Sequence, residues 1–583
     1  MQKLCFCSIV KPGFLLMKQA KSPPKKPKKS VKPAAPPEKT TDIFWADQIA
    51  EEAIARVGDG PVICKCAASP SGAKLIGNLF DVMKAYIIYK AVVKKGHPAQ
   101  FVFTNDDKDP LRTIPMKLPN LEGELVDATK FNEEFIKYAG HPYRTIPDPF
   151  DCCNSWAEHF TKVWLNGIYA LIPEKELKVF SNEIMYSEGK FDPYIETIFR
   201  NIGKAREIIS RFQSHMTGDY IPFHVVCENC GKITTTVTGF DLDKKTVTYT
   251  CSGRELAGKY VIQGCGHTGE TAWKNGKLAW RFETSSQMAM LKVTVEPFGK
   301  EHAEGTVPSA TAITKELFHI EPPIFPIYEF LLVNGEKMSA RVGNVYIVQD
   351  MLDIIEPEIL MYFYTKRSLK QRDLNLKSIH QLVDDFEHIE RIYWGIDKEQ
   401  NEHDKINAVR EYESAMPVIP KHMPLRIEYQ FAAMISQLAP DTEQAIKMLK
   451  ASGHIKPDQH LGPEEIAQIA RRLTLARKWI HRHAPEQSVK VNDDLPKEIS
   501  LALTAQQKLA LLSLSETLAK DIDQTKLYNS FYEISQKHNL PTKDFFRAAY
   551  QTLINKQAGP RLAPFILALG RQRVRAILNQ IAV

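Results

Sequence analysis

Hydrophobic and polar positions follow two periods along this chain. Ile49 to Ala55 repeats at helical spacing, and Pro61 to Ala67 is a short apolar run that predicts a buried strand. A turn follows at Ser69-Pro70-Ser71-Gly72. From about Ile76 the positions Leu79, Val82, Met83, Tyr86 and Ile87 recur at three and four residues, which predicts a helix closing at Lys94-Lys95-Gly96. Gln100 to Thr104 predicts a second strand. Strand, glycine turn, helix, strand is the opening of a doubly wound nucleotide fold, whose ligand lies at the strand ends.

Helices and strands alternate to about Met216, and a β-rich segment runs from there to about Val293. Val293 to Glu296 and Phe325 to Val333 read as returning core strands. From Ile354 onward the pattern is helical, with one stripe at Leu511, Leu514, Leu518 and Ile522 and another at Phe546, Tyr550 and Leu553. The last part of the chain therefore predicts a helical bundle packed by amphipathic faces. No internal repeat interrupts the order.

A length of 583 residues fits about three to four domains. No apolar run approaches the ~18 to 20 residues that span a bilayer, so a cytoplasmic protein without a membrane segment is expected. The net charge of +7 is unevenly placed. Residues 1–40 hold ten lysines and one acid, Glu38, a balance of +9 that leaves the rest at −2. The run Ser22-Pro23-Pro24-Lys25-Lys26-Pro27-Lys28-Lys29 is too polar to pack and too rich in proline for a helix. Such a tail attracts phosphate backbones without reading sequence, or merely solubilises. Met17 is an alternative start.

Two segments point to phosphate. In Ser69-Pro70-Ser71-Gly72-Ala73-Lys74-Leu75-Ile76-Gly77-Asn78, small residues let backbone approach a ligand where a helix begins. In Asn334-Gly335-Glu336-Lys337-Met338-Ser339-Ala340-Arg341, Lys337 and Arg341 offer cations. Alone, the first reads equally well as a turn without ligand, and the second reads more commonly as a solvated basic loop. Cys227 and Cys230 stand at a two-residue spacing followed by Gly231, and Cys251 and Cys265 complete a four-thiolate set, with His267 competing for the last place. That pattern predicts a closed, structural zinc site. Cys152 and Cys153 read as ordinary loop residues.

The two phosphate segments, in this order, resemble the His-Ile-Gly-His-like and Lys-Met-Ser-Lys-Ser-like elements of class I aminoacyl-tRNA synthetases. From Phe44 to Ile581 the chain resembles the class I lysyl-tRNA synthetase family. Trp45-Ala46-Asp47, Asp106 to Arg112, Ile146 to Phe150, Glu158-His159-Phe160, Gly276 to Arg281, Glu296 to Ala303 and Gly559-Pro560-Arg561 carry the match. The resemblance implies an α/β, doubly wound Rossmann-type catalytic domain with a zinc-bearing β-rich insertion and an all-α C-terminal bundle. The expected division is a disordered tail over 1–42, catalytic halves over 43–216 and 293–350, the insertion over 217–292, a connecting segment over 351–394 and an anticodon-binding bundle over 395–583.

The implied activity is ATP-dependent joining of lysine to its tRNA by a monomer, with ATP, Mg2+, lysine and tRNA as ligands. Lys337, Ser339, Arg341 and Lys74 are then the catalytic cations and donors. Ser71, Gly72, Gly77, Asn78, Gly299, Glu301, His302 and Met338 bind ATP, with Glu301 in place of the family's aspartate. Tyr328, Glu329 and Trp280 bind the amino acid. Both signature motifs depart from the family. Leu75 replaces a histidine that donates to the phosphates, and Arg341-Val342 stand where a serine and a second base are usual. The alternative reading is an impaired paralogue that binds tRNA or regulates.

Overall fold

A computed structural model of the chain describes residues 44–213, 218–256, 260–338, 344–366 and 371–582. The expected tail over 1–42 and the sequence-predicted Ser339 and Arg341 lie outside the described residues.

The strand β1 (Val62–Ala68) is buried over its first five residues. Its apolar run has nowhere to go but the middle of a parallel sheet, covered on both faces. The turn after it leads into α1 (Leu79–Lys94), whose periodic residues Leu79, Val82, Met83, Tyr86 and Ile87 are all buried. The chain returns as β2 (Ala99–Asn105), parallel to β1 from Val62 against Ala99 to Ala68 against Asn105. Next to β2 lies β3 (Leu177–Ser181), again parallel. On the other side of β1, Cys64 bridges Val295 and Val295 bridges Ile324, both parallel. The spatial order of these five passes in chain order is 3-2-1-4-5, with a switch point between β1 and the segment around Val295. A buried ion pair, Lys65 Nζ to Glu296 Oε1 at 2.6 Å, joins the two segments there.

Two expected strands differ: Val293 to Glu296 makes only isolated bridges, at Val295. Phe325 to Val333 is not one strand but two short ones. Ile327–Tyr328 pairs with Phe298–Gly299, and Leu331–Val333 joins Glu336–Lys337 and Arg372–Leu374 in a separate small sheet. Pro322, Pro323 and Pro326 lack the amide hydrogens a continuous central strand needs. The β-rich segment is as expected through Leu278 and then gives way to α2 (Trp280–Met290). Beyond it, α3 (Pro357–Thr365) and α4 (Pro463–His483) belong to a run of helices that continues to Leu578.

One hydrophobic core reaches from Phe44 through the parallel sheet to Ile581. A second core holds the cysteine-bearing insertion, around Phe199, Phe223 and Trp273. Helix Glu402–Ala415, which the sequence reading assigns to the C-terminal domain, packs on the segments that hold Asp47 and Lys90. Arg410 bonds Asp47 through two nitrogens, and Lys90 Nζ donates to the carbonyls of Glu413 and Met416. Among the described residues no helix is long and apolar enough to cross a membrane.

Candidate active site

Two turns lie side by side at the switch point. Ser69 to Asn78 leaves β1, and Gly299–His302 leaves the segment around Val295. Gly72 has φ +117°, and a Cβ there would press on Pro115 at 2.9 Å and Leu118 at 3.2 Å. Only glycine takes that conformation against that wall. Ser71 Oγ accepts from Lys74 Nζ at 3.3 Å, and Trp156 Nε1 donates to the carbonyl of Pro70 at 3.0 Å. Burial pushes the Lys74 ammonium down to about 8, against the raising influence of Asp106, Asp109 and Asp81.

The second signature segment closes on the first. A Cβ on Gly77 would stand 3.4 Å from Met338 Cε. The Ile76 amide donates to the Tyr346 carbonyl at 2.9 Å, just beyond the same loop. Met338 is buried, while Lys337 is exposed with its ammonium 4.1 Å from the centre of the Phe330 ring. Some 260 residues apart in sequence, the two segments meet at Gly77 and Met338.

Around it stand titratable groups. Tyr328 stacks on Phe80, and its hydroxyl donates to Asp81 Oδ1 at 2.6 Å. Burial, with Glu301 and Glu296 nearby, raises the Asp81 carboxyl to about 7 even against that hydrogen bond. A Cβ on Gly299 would collide with the Glu301 carboxylate, so the glycine leaves room for that side chain to fold back. His302 contacts the Trp280 and Phe298 rings and bonds Thr306 Oγ1 at 2.9 Å; burial lowers its pKa and keeps it neutral. Glu329 pairs with Lys300 at 2.5 Å.

Under the crevice a polar network ties the ends of β2 and β3 to α2. Asn182 Nδ2 donates to Asp106 Oδ1 at 2.8 Å, Gln287 Nε2 donates to Asn182 Oδ1 at 2.8 Å, and Thr104 Oγ1 donates to Gln287. Lys277 pairs with Asp109 and, at 2.7 Å, with Glu283.

These features coincide with one family. The described tRNA synthetases class I (K), where K stands for lysine, match residues 43–416. The chain belongs to the class I lysyl-tRNA synthetases. The lysine–tRNA ligase of Natronomonas pharaonis is 37% identical over 528 residues, which cover 90% of this chain and 95% of that protein. The lysine–tRNA ligase of Methanocaldococcus jannaschii is 31% identical over 549 residues, 91% of this chain and 98% of the relative. A solved glutamate tRNA ligase from Elizabethkingia meningosepticum covers 90% of this chain and 99% of its own at 11% identity, with a TM-score of 0.40, too loose a likeness to bear on function.

In this synthetase the sequence-predicted residues divide into three groups. Ser71, Gly72, Lys74 and Gly77 lie on the first turn, with Met338 against Gly77; Gly299, Glu301 and His302 lie on the second, with Trp280 against His302, Tyr328 bonded to Asp81 and Lys337 exposed beside Phe330. Asn78 instead serves the backbone: its Oδ1 accepts from the Leu75 amide at 3.0 Å. Glu329 is engaged at the surface by Lys300. Leu75 is half-buried and packs on the main core, so the leucine gains contacts where the family's histidine is absent. Asp81 was not among the predicted residues, because a lone acid in a helix carries no signal without its Tyr328 partner.

The cysteines form two groups. Cys227, Cys230, Cys251 and Cys265 place their sulfurs within 4.8 Å of one another. Cys230 and Cys251 are 3.6 Å apart, and Cys227 and Cys265 are 3.7 Å apart. Disulfide sulfurs lie at about 2.05 Å. Thiolates around one tetrahedral ion at ~2.3 Å lie about 3.8 Å apart. His267 stands outside this set and packs its ring on Tyr249. The second group corrects the reading of Cys152 and Cys153 as ordinary loop residues: Asp148, Cys152, Cys153 and His159 also gather within 4.8 Å. Cys152 Sγ is 3.2 Å from His159 Nδ1 and 3.1 Å from Asp148 Oδ2. His159 Nε2 lies 3.0 Å from the Pro119 carbonyl, which makes that nitrogen a donor, and Nδ1 lies 3.1 Å from Asp148 Oδ1. The sequence signal was local: Asp148, Cys152, Cys153 and His159 fall within twelve residues, without the familiar paired spacing.

Proposed function

We propose that this synthetase is a working lysine–tRNA ligase that uses the switch-point crevice for ATP. The observation that carries the reading is the meeting of Gly77 with Met338, which brings both signature segments onto one ligand space. In the first step a lysine carboxylate oxygen attacks the α-phosphorus of ATP, taken with Mg2+, and pyrophosphate leaves. In the second, the 3′-terminal ribose hydroxyl of the tRNA attacks the lysyl carbonyl, and AMP leaves. Neither step needs a protein nucleophile, so position and charge do the work.

Ser71, Gly72 and Gly77 offer close backbone approach to the phosphates, and Lys74, Lys337, Ser339 and Arg341 supply cations and a donor. Glu301 takes the ribose, with Gly299, His302 and Met338 beside it. Tyr328, with Trp280 and Glu329, faces the amino acid. Asp81 joins that set because the Tyr328 hydroxyl holds it there. The helical C-terminal part, from about residue 395, meets the anticodon arm, and the chain acts as a monomer.

Both cysteine groups fit zinc. The four-thiolate set has no open position and would hold the insertion together. The Asp148, Cys152, Cys153 and His159 set would brace the wall beside the first turn, since Trp156 of the same helix bonds Pro70. In each case these residues would hold an ion that would supply crosslinking and not chemistry.

The test is lysine-dependent exchange of pyrophosphate into ATP, followed by charging of tRNA. Exchange with lysine and not with other amino acids, and charging of lysine tRNA, is the expected result. No exchange in protein that still binds tRNA would reject the ligase and leave a tRNA-binding protein.

A further inference from the structure

Helix α3 holds the two signature segments from behind. Its residues Ile359 to Thr365 are all buried. Its last carbonyls, which no helical amide can satisfy, are claimed by side chains from three other parts of the chain. Arg372 donates to the Phe363 carbonyl, Lys84 to that of Tyr364 at 3.0 Å, and Trp45 Nε1 to that of Thr365 at 2.6 Å. Lys84 belongs to α1, which begins where the first signature segment ends. Arg372 lies on the strand paired with Leu331–Val333, which leads into Lys337 and Met338. At the other end of α3, Glu356 accepts from Arg472 of α4 at 2.6 Å.

From the middle of this clamp the Tyr364 hydroxyl donates to the Ile76 carbonyl at 2.8 Å. Tyr364 is fully buried and sits edge-on to Phe80, 4.9 Å between centres. The Leu79 amide also reaches the Ile76 oxygen. A trans peptide points its amide hydrogen opposite its carbonyl. Fixing the Ile76 oxygen from behind therefore fixes the direction of the Gly77 amide, beside Met338.

We propose that Tyr364 is a positioning residue for ATP: by holding the Ile76 carbonyl it aims the Gly77 peptide at the nucleotide, while Arg472 anchors the far end of the same helix. This rests on the reading of the crevice as the ATP site. Tyr364→Phe removes one oxygen and keeps the ring, so the packing of α3 persists. Calorimetry on the full chain, with ATP and with lysine titrated separately, reads the effect. ATP binding weakens roughly tenfold in Tyr364→Phe, lysine binding stays within about twofold, and hydrogen exchange quickens at residues 75–79 ahead of the rest of the sheet. Unchanged ATP affinity overturns the proposal, as does an equal loss for ATP and lysine, which marks a merely structural role. A parent chain that binds no ATP rejects the site reading and this inference together, whereas equal ATP binding by parent and variant rejects this inference alone.

Discussion

Leu75 packs on the core while its amide is held by Asn78, so the first signature segment keeps its shape without the family's histidine. Shape is not donation. Leu75→His should raise the pyrophosphate exchange rate by about ten- to a thousandfold, the range for restoring one donor at a developing charge. The same change removes apolar contacts and should lower stability by about 1 kcal/mol. A rate that does not rise in folded protein would show that another group already serves the phosphates. Lys74 makes a second prediction at this scale. Its ammonium is charged below about 8 and neutral above it, so kcat/KM for ATP should fall as pH rises through that value. Asp81 ionises near 7 and adds a lower step of its own, through the amino-acid set it shares with Tyr328. Lys74→Arg should erase the upper step and leave the lower one; a profile with both steps intact would remove Lys74 from ATP binding.

At the scale of elements, each cysteine group ties a segment with little core of its own. Metal analysis should find about two zinc ions per chain. Cys230→Ser and Cys152→Ser should each remove one, and retention of both ions in either variant would reject that ligand set. Loss at Cys230 should loosen the insertion; loss at Cys152 should weaken ATP binding through the Trp156–Pro70 contact. A fourth prediction concerns α4. Arg472 is buried between Glu356 and Glu387, each at 2.6 Å. Arg472→Met leaves two buried carboxylates without their cation and should cost about 3 to 5 kcal/mol, measurable by denaturant unfolding. A smaller loss would mean that water reaches the acids. The strand–turn–helix–strand opening was legible because Val62 to Cys66 and the stripe from Leu79 to Ile87 bury in their own periods. The broken run at Phe325 to Val333 was not, because its apolar content hides which partner each half takes, although Pro326 marks the break. The four-cysteine group was legible from Cys227 and Cys230. The group at Cys152 depends on how a loop folds back to His159, which no periodicity records.

Across the whole molecule, contacts distant in sequence hold the catalytic sheet. Cys64 meets Val295, Trp45 meets Thr365, and Asp47 meets Arg410. A chain cut after Trp394 loses Arg410 and the carbonyls that bind Lys90, and should be aggregated or fail to bind ATP, by light scattering and calorimetry. Soluble, ATP-binding protein from that cut would show the catalytic part to be independent of Glu402–Ala415. The same wiring sets a timetable for synthesis. At about 5 to 20 residues per second, the ribosome needs roughly 20 to 70 seconds to pass from Asp47 to Arg410. For that interval Asp47 is out of the tunnel before Arg410 is made, and β1, paired early by β2, waits for the segment around Val295. Completion behind the ribosome is therefore staged: the apolar run of β1 is a natural client for chaperones until the segment around Val295 emerges, and Asp47 keeps no partner until Arg410 does.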